Sequence, residues 1–332
     1  MSGPTAQLRV WGVLPDRYAD RKVAASTVDA AGRMVALLVA PWVTCSERGA
    51  ASGPYAATVV VVDGDDITEV ALPELDLRFP KVDVLGDGFV LVAARCRMPA
   101  GPAVRTVTEL EAQIPHNGRV VDADGSTRIT FHAGDGIEQL VTDPAGAIWI
   151  SYFDEASVCA PQLATRDPTK PPHRMTMPLP GLIRWTATGD PAWYATQDGY
   201  SNPSGWVDCY ALNVGAGRVW AYPYPGFPLV EIDQRGIRCV RRTSVRSASG
   251  VIVADDRVAF IASQGHGPEA AGSYLVTFAR IIDGPVETAT TTPLLLPTGQ
   301  RPTTRARRTV CRDNRMWMQF DDERTWYTLD IQ

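Results

Sequence analysis

The sequence predicts an all-β fold, a six-bladed β-propeller of four-stranded antiparallel blades, and three observations predict it. The first is a phrase that recurs six times: an apolar stretch, a tight Gly/Asp/Asn turn and a second apolar stretch. Its copies are residues 27–40 (TVDAAGRMVALLVA), 82–94 (VDVLGDGFVLVAA), 140–153 (LVTDPAGAIWISYF), 211–222 (ALNVGAGRVWAY), 251–262 (VIVADDRVAFIA) and 309–320 (TVCRDNRMWMQF). The turns centre near Arg33, Gly88, Ala147, Arg218, Arg257 and Arg315, a mean spacing of about 56 residues. The second observation is a hairpin signal after each of the first five copies. The third is that the last copy is followed by one strand, while an unassigned strand precedes the first copy.

Each copy reads as the two inner strands of a blade, the second rich in β-branched and aromatic residues, as in Ile148-Trp149-Ile150-Ser151-Tyr152. The outer pairs follow in order. Residues 58–63 and 67–72 flank Gly64-Asp65-Asp66, and 118–123 and 127–132 flank Asp124-Gly125. Residues 182–186 and 192–195 flank Thr188-Gly189-Asp190, 229–232 and 237–242 flank Gln234-Arg235-Gly236, and 274–279 and 286–291 flank Asp283-Gly284. Such pairs accept the positive φ that tight hairpins require. In the sixth copy residues 325–331 (TWYTLDI) supply a third strand, and residues 7–13 (QLRVWGV) are expected to pair with it and close the ring. The expected organisation is one domain over 1–332. After a lead-in at 1–22 the blades fall near 23–75, 76–133, 134–198, 199–244, 245–298 and 299–332 plus 7–13.

Composition narrows the function classes. A net charge of −5 disfavours general nucleic-acid affinity. No apolar run is long enough to span a membrane as a helix. The first residues lack a basic segment followed by an apolar core, and the six cysteines show no C-x-x-C spacing. The expectation is a cytoplasmic protein with reduced thiols, monomeric or weakly self-associating. Lysine is nearly absent (Lys22, Lys81, Lys170), so arginine carries almost all positive charge.

In this architecture the inner hairpins share one face. Several of the loops at the other face are long: residues 41–55, 95–117, 154–180 and 263–273. Long loops on a rigid scaffold are where sites are usually placed, so the site is expected at that mouth of the channel. One side of the mouth is acidic and aromatic. Glu138, Asp208, Tyr210, Asp154 and His266 are the candidates for acid–base or other catalytic work, and Tyr222 and Tyr224 for ligand contact. The other side is basic: Arg242 and Arg246 approach the fifth blade, and Arg307 and Arg308 the sixth. Guanidinium forks suit carboxylate or phosphate, so these four are candidate ligand-binding residues. Cys209 has no histidine beside it, which argues against a thiol nucleophile.

Thr142-Asp143-Pro144-Ala145-Gly146-Ala147-Ile148-Trp149-Ile150 resembles the D-x-x-G-x-hydrophobic-W blade signature of six-bladed propellers, a group that includes the SMP-30/gluconolactonase, strictosidine-synthase-like and NHL families. Asp29 to Met34 and Asn213 to Trp220 echo it. The resemblance implies the fold. Its gluconolactonase-like members hold a divalent metal such as Ca²⁺ through a glutamate early in the first blade, whereas residues 23–29 (VAASTVD) contain none. No metal ligand is carried over and no cofactor is expected. The leading reading is an enzyme acting on a polar or anionic metabolite by hydrolysis or acid–base chemistry without a redox cofactor. The alternative is a non-catalytic propeller that binds a protein or peptide, or senses a metabolite, on its loop face.

Overall fold

The computed structural model describes residues 6–45, 53–96, 115–153, 181–195, 206–264, 272–282 and 284–332. They form an all-β architecture of five hydrogen-bonded sheets. Lys22–Val28, Met34–Val39, Tyr55–Asp63 and Asp66–Leu75 make a four-stranded antiparallel meander. A second consists of Pro80–Leu85, Gly88–Ala93, Gly118–Val121 and Thr127–Phe131, and a third of Ile137–Thr142, Ile148–Tyr152, Leu182–Trp185 and Pro191–Tyr194. Gly250–Ala254, Arg257–Ser263, Tyr274–Ile281 and Val286–Leu295 make another, to which Ala6–Gln7 adds in parallel at its outer edge.

The remaining sheet has eight strands. Asp208–Val214, Val219–Tyr224, Leu229–Asp233 and Gly236–Arg241 form one half. Arg308–Arg312, Arg315–Gln319, Thr325–Asp330 and Arg9–Val13 form the other. The halves meet at one parallel pair, Asn213 with Cys311. The amino-terminal segment therefore does two things where one strand over 7–13 was expected. Ala6–Gln7 pairs with Leu294–Leu295, and Arg9–Val13 runs antiparallel to Thr325–Asp330. Between them Leu8 is fully buried and its amide donates to the Leu295 carbonyl at 2.8 Å, which anchors the crossover.

The first strand of each meander touches that of the next in chain order, and Arg308–Arg312 also touches Lys22–Val28. Apolar clusters fill the spaces between sheets. One joins Val35, Leu37 and Val59 to Phe89 and Leu91; another joins Leu14, Val28 and Met34 to Val310, Trp317 and Trp326. This explains the apolar second strands. Met34–Val39, Gly88–Ala93 and Ile148–Tyr152 are buried at every position, because both faces pack against a neighbour. Each such Val, Leu or Ile contributes roughly 1.5–3 kcal/mol of burial.

The recurring aspartate turn has a local cause. Asp143 Oδ1 accepts the amides of Ala145 and Ala147 at 2.9 and 3.0 Å, and Oδ2 accepts the Trp149 indole N–H at 3.0 Å. Gly146, at φ 87°, supplies the left-handed residue this turn needs. Asp29 repeats the arrangement, with Arg33 Nε donating at 2.8 Å in place of the indole.

At the end of the first strands the centre is closed by a buried ion pair. Arg312 Nη2 donates to Asp83 Oδ2 at 2.7 Å, its Nε to Val28 O at 2.9 Å and its Nη1 to Thr142 O at 2.7 Å. Asp83, itself 0% exposed, also accepts the Thr142 amide at 2.7 Å and its own neighbour Val84's amide at 2.9 Å. Burial pushes the Asp83 carboxyl up, while Arg312 and the two amides act against that. Beside it Asn213 Nδ2 donates to Val251 O at 3.0 Å and Asp313 O at 2.7 Å. Gly215 lies so close to Asp313 that a Cβ there would meet its Oδ1 at 1.8 Å.

Removing one partner of a buried pair strands the other charge, at a cost of about 3–5 kcal/mol. Asp83→Ala and Arg312→Leu are each expected to lower unfolding free energy by that order in urea titrations. The double variant is expected to lose clearly less than the sum of the two.

Candidate functional site

Above this floor, at the end where the first strands begin, lies a cavity of about 500 Å³. Its walls come from first strands or the residues entering them in every meander: Ser26 and Thr27, Lys81, Glu138 and Gln139, Tyr210, Ser247 and Ser249, and Arg305, Arg307 and Arg308. Strand alternation explains the layering. Lys81 is two residues before Asp83 and Arg308 four before Arg312, so each points to the same side as its floor residue, Lys81 one layer and Arg308 two layers nearer the mouth.

Glu138 and Tyr210 reach the cavity by another device. Register shifts between Ile137 and Gln139, and between Cys209 and Ala211, mark β-bulges that leave Glu138 and Tyr210 as the extra residues. A bulge re-aims one side chain and frees its backbone from the ladder, an arrangement frequent beside active sites.

Lys81 is the group that sequence reasoning passed over. Burial lowers its ammonium below the ordinary lysine value, Glu138 opposes that shift and Arg308 adds to it. The available signal was rarity: in a chain that uses arginine almost throughout, one of three lysines stands here. Arg308 is held from below, with Nη1 donating to Gln319 Oε1 at 2.7 Å and to Glu323 Oε2 at 2.8 Å. Arg307 is half in solvent, with Nε on Asp321 Oδ1 at 3.1 Å. Tyr274 contributes a buried phenol whose oxygen accepts the Ala306 amide at 2.7 Å, and burial raises its pKa.

Of the sequence candidates, Glu138, Tyr210, Arg307 and Arg308 thus line one cavity. Asp208 starts its strand opposite Tyr224, partly buried and outside the lining. Tyr222 belongs to the core. It is 0% exposed, its hydroxyl donates to Val245 O at 2.7 Å, and it stacks on Phe227 at 5.4 Å, so it cannot meet a ligand at the mouth. Tyr224 is exposed, in an aromatic group with Tyr210 and Phe227 at the rim. Arg242 is exposed and outside the lining, and Arg246 folds onto its own loop, with Nη1 donating to Thr243 O at 2.7 Å. Asp154 and His266 lie outside the described residues. Cys209 is buried and its thiol is pushed up to about 12, which leaves almost no thiolate at neutral pH. Among the described residues no group of three or more His, Cys, Asp and Glu side chains could hold a metal ion, and no helix is long and apolar enough to cross a membrane.

No protein-family model matches the chain, and no curated protein matches it in sequence. Solved structures do. A chain of a mitotic checkpoint complex superposes with a TM-score of 0.50 at 7% identity, over 94% of this chain and 76% of that one. A catalytically inactive virginiamycin B lyase from Staphylococcus aureus, crystallised with quinupristin, gives 0.46 at 12% identity over 98% and 99%. BamB from Moraxella catarrhalis gives 0.40 at 11% identity over 98% and 100%. The fold is that of a β-propeller. At such identities the likeness concerns the fold and carries no activity across.

Lys81 has a testable energetic signature. Its folded pKa is lowered, so the fold disfavours the charged amine; that cost is fully present below the folded value and fades as pH rises through it towards the unfolded one. Lys81→Met is therefore expected to raise stability at neutral pH in urea titrations. That gain should shrink as pH rises towards 10.5, where the unfolded lysine also loses its proton.

Proposed function

We propose that the chain is a six-bladed propeller whose central cavity binds a polar or anionic metabolite, and that it is an enzyme working there by hydrolysis or acid–base chemistry without a redox cofactor. The observation that carries the reading is the cavity of about 500 Å³, in which a bulge-presented Glu138 and a half-buried Lys81 converge with Arg305, Arg307 and Arg308. That volume falls in the range of roughly 300–1,000 Å³ usual for small-molecule sites. A flat aromatic face would have favoured a protein partner instead.

Six blades account for the eight-stranded sheet as two meanders touching at the Asn213–Cys311 pair. Closure by Arg9–Val13 is supported by its ladder with Thr325–Asp330 and by the apolar cluster that joins Val310, Trp317 and Trp326 to Val28 and Met34. A closed ring also keeps the cavity at one size, which a catalytic site requires.

In this reading Arg307 meets the ligand, whereas Arg308 is committed to Gln319 and Glu323. A thermal-shift screen of anionic metabolites is expected to yield a stabilising ligand. Arg307→Ala is then expected to weaken it about tenfold, or ~1.4 kcal/mol. Unchanged affinity in isothermal titration overturns the role of Arg307. Deleting residues 1–13 removes Leu8 and bares the edge of Thr325–Asp330, and is expected to cost solubility. A truncated chain as soluble and as stable as the parent overturns closure.

A further inference from the structure

Lys81 is a half-buried amine on the cavity wall without a structural task. Among the described residues it makes no hydrogen bond or ion pair within 4.0 Å, whereas Lys22 donates to Val43 O at 3.3 Å. The fold retains it although partial burial of the ammonium costs stability, and arginine, the cation used almost everywhere else in the chain, would not lose its charge there. A guanidinium is always protonated and cannot act as a nucleophile; an amine partly withdrawn from water and set near another cation can. Arg308 is that cation. Glu138 sits on the adjoining first strand, is exposed to the cavity and interacts electrostatically with Lys81.

We propose that Lys81 captures the carbonyl group of an anionic aldehyde or ketone in the cavity as an imine, with Glu138 moving the proton. This deepens the small-molecule reading above and rests on it. The neutral Nζ lone pair forms a C–N bond to the carbonyl carbon, and the C=O π electrons pass to oxygen. Glu138 takes a proton from nitrogen and gives it to that oxygen, yielding a carbinolamine. Loss of the second nitrogen proton and departure of the oxygen as water then form the C=N bond. Two amine hydrogens leave as water with the carbonyl oxygen, and no oxidant or reductant is consumed. The cationic side of the cavity, Arg305 and Arg307, faces the carboxylate or phosphate of the same molecule.

Three lysines make the test internally controlled. The intact protein is incubated at neutral pH with glyoxylate and sodium cyanoborohydride, which reduces any imine to a stable amine, and the modified lysines are mapped by mass spectrometry over time. Lys81 is expected to label clearly faster than Lys22. Acetaldehyde, which has the same reactive group and no charge, is expected to lose most of that preference. Glu138→Gln is expected to slow labelling of Lys81 and leave Lys22 unchanged. Lys81→Arg, checked for folding by circular dichroism, is expected to remove the adduct. Labelling of Lys81 no faster than Lys22, or insensitive to Glu138→Gln, overturns the proposal. If glyoxylate or another anion still shifts the melting temperature while Lys81 is not trapped, the imine falls and the cavity reading stands. If no anion binds and no lysine is trapped preferentially, both fall.

Discussion

The Arg312 guanidinium is buried at the centre of the molecule and donates to three sheets other than its own: to Val28 in the first, Asp83 in the second and Thr142 in the third. Everything nearer the mouth depends on this. Sheets that meet only through apolar side chains can slide, because dispersion and hydrophobic burial have no strong directionality. A guanidinium with fixed donors admits one mutual arrangement of its acceptors. Asn213, with its amide shared between Val251 and Asp313, does the same for the later sheets. The two polar devices turn a stack of meanders into a body with a defined floor.

That floor determines the chemistry above it. Lys81 and Arg308 lie on the strands that carry Asp83 and Arg312, so anchoring the lower residues sets the height and direction of the upper ones. The two layers contrast. Below, charge is fully paired and hydrogen-bonded, as a buried ion needs to be. Above, Lys81 is held without a close partner and Glu138 projects from a bulge.

The sequence made the strands legible because their causes are local. Asp143 with Gly146, Asp29 with Gly32, and the apolar runs such as Met34–Val39 announce turns and doubly packed strands within a dozen residues. Glu138 and Tyr210 were legible as residues at strand entrances, and Arg307 and Arg308 as an arginine run. Tyr222 looked equivalent to Tyr210, yet the two face opposite fates. Tyr210 is the bulged residue turned to the cavity, while Tyr222, on the neighbouring strand, is enclosed by Phe227 and Phe260. Arg246 likewise looked like a rim cation and instead binds carbonyls three residues or fewer away.

By itself the sequence determined the all-β class, the recurring strand–turn–strand unit and the apolar faces, since each follows from backbone preference and side-chain periodicity over short spans. Tertiary structure alone decided that Lys81 belongs with Glu138 and Arg308, that Asp83 and Arg312 close the floor, and that the first residues serve two edges. These partners lie 57 to 321 residues apart in sequence. Whether a charge becomes paired, exposed or reactive depends on what the other strands bring to it, and no local pattern encodes that.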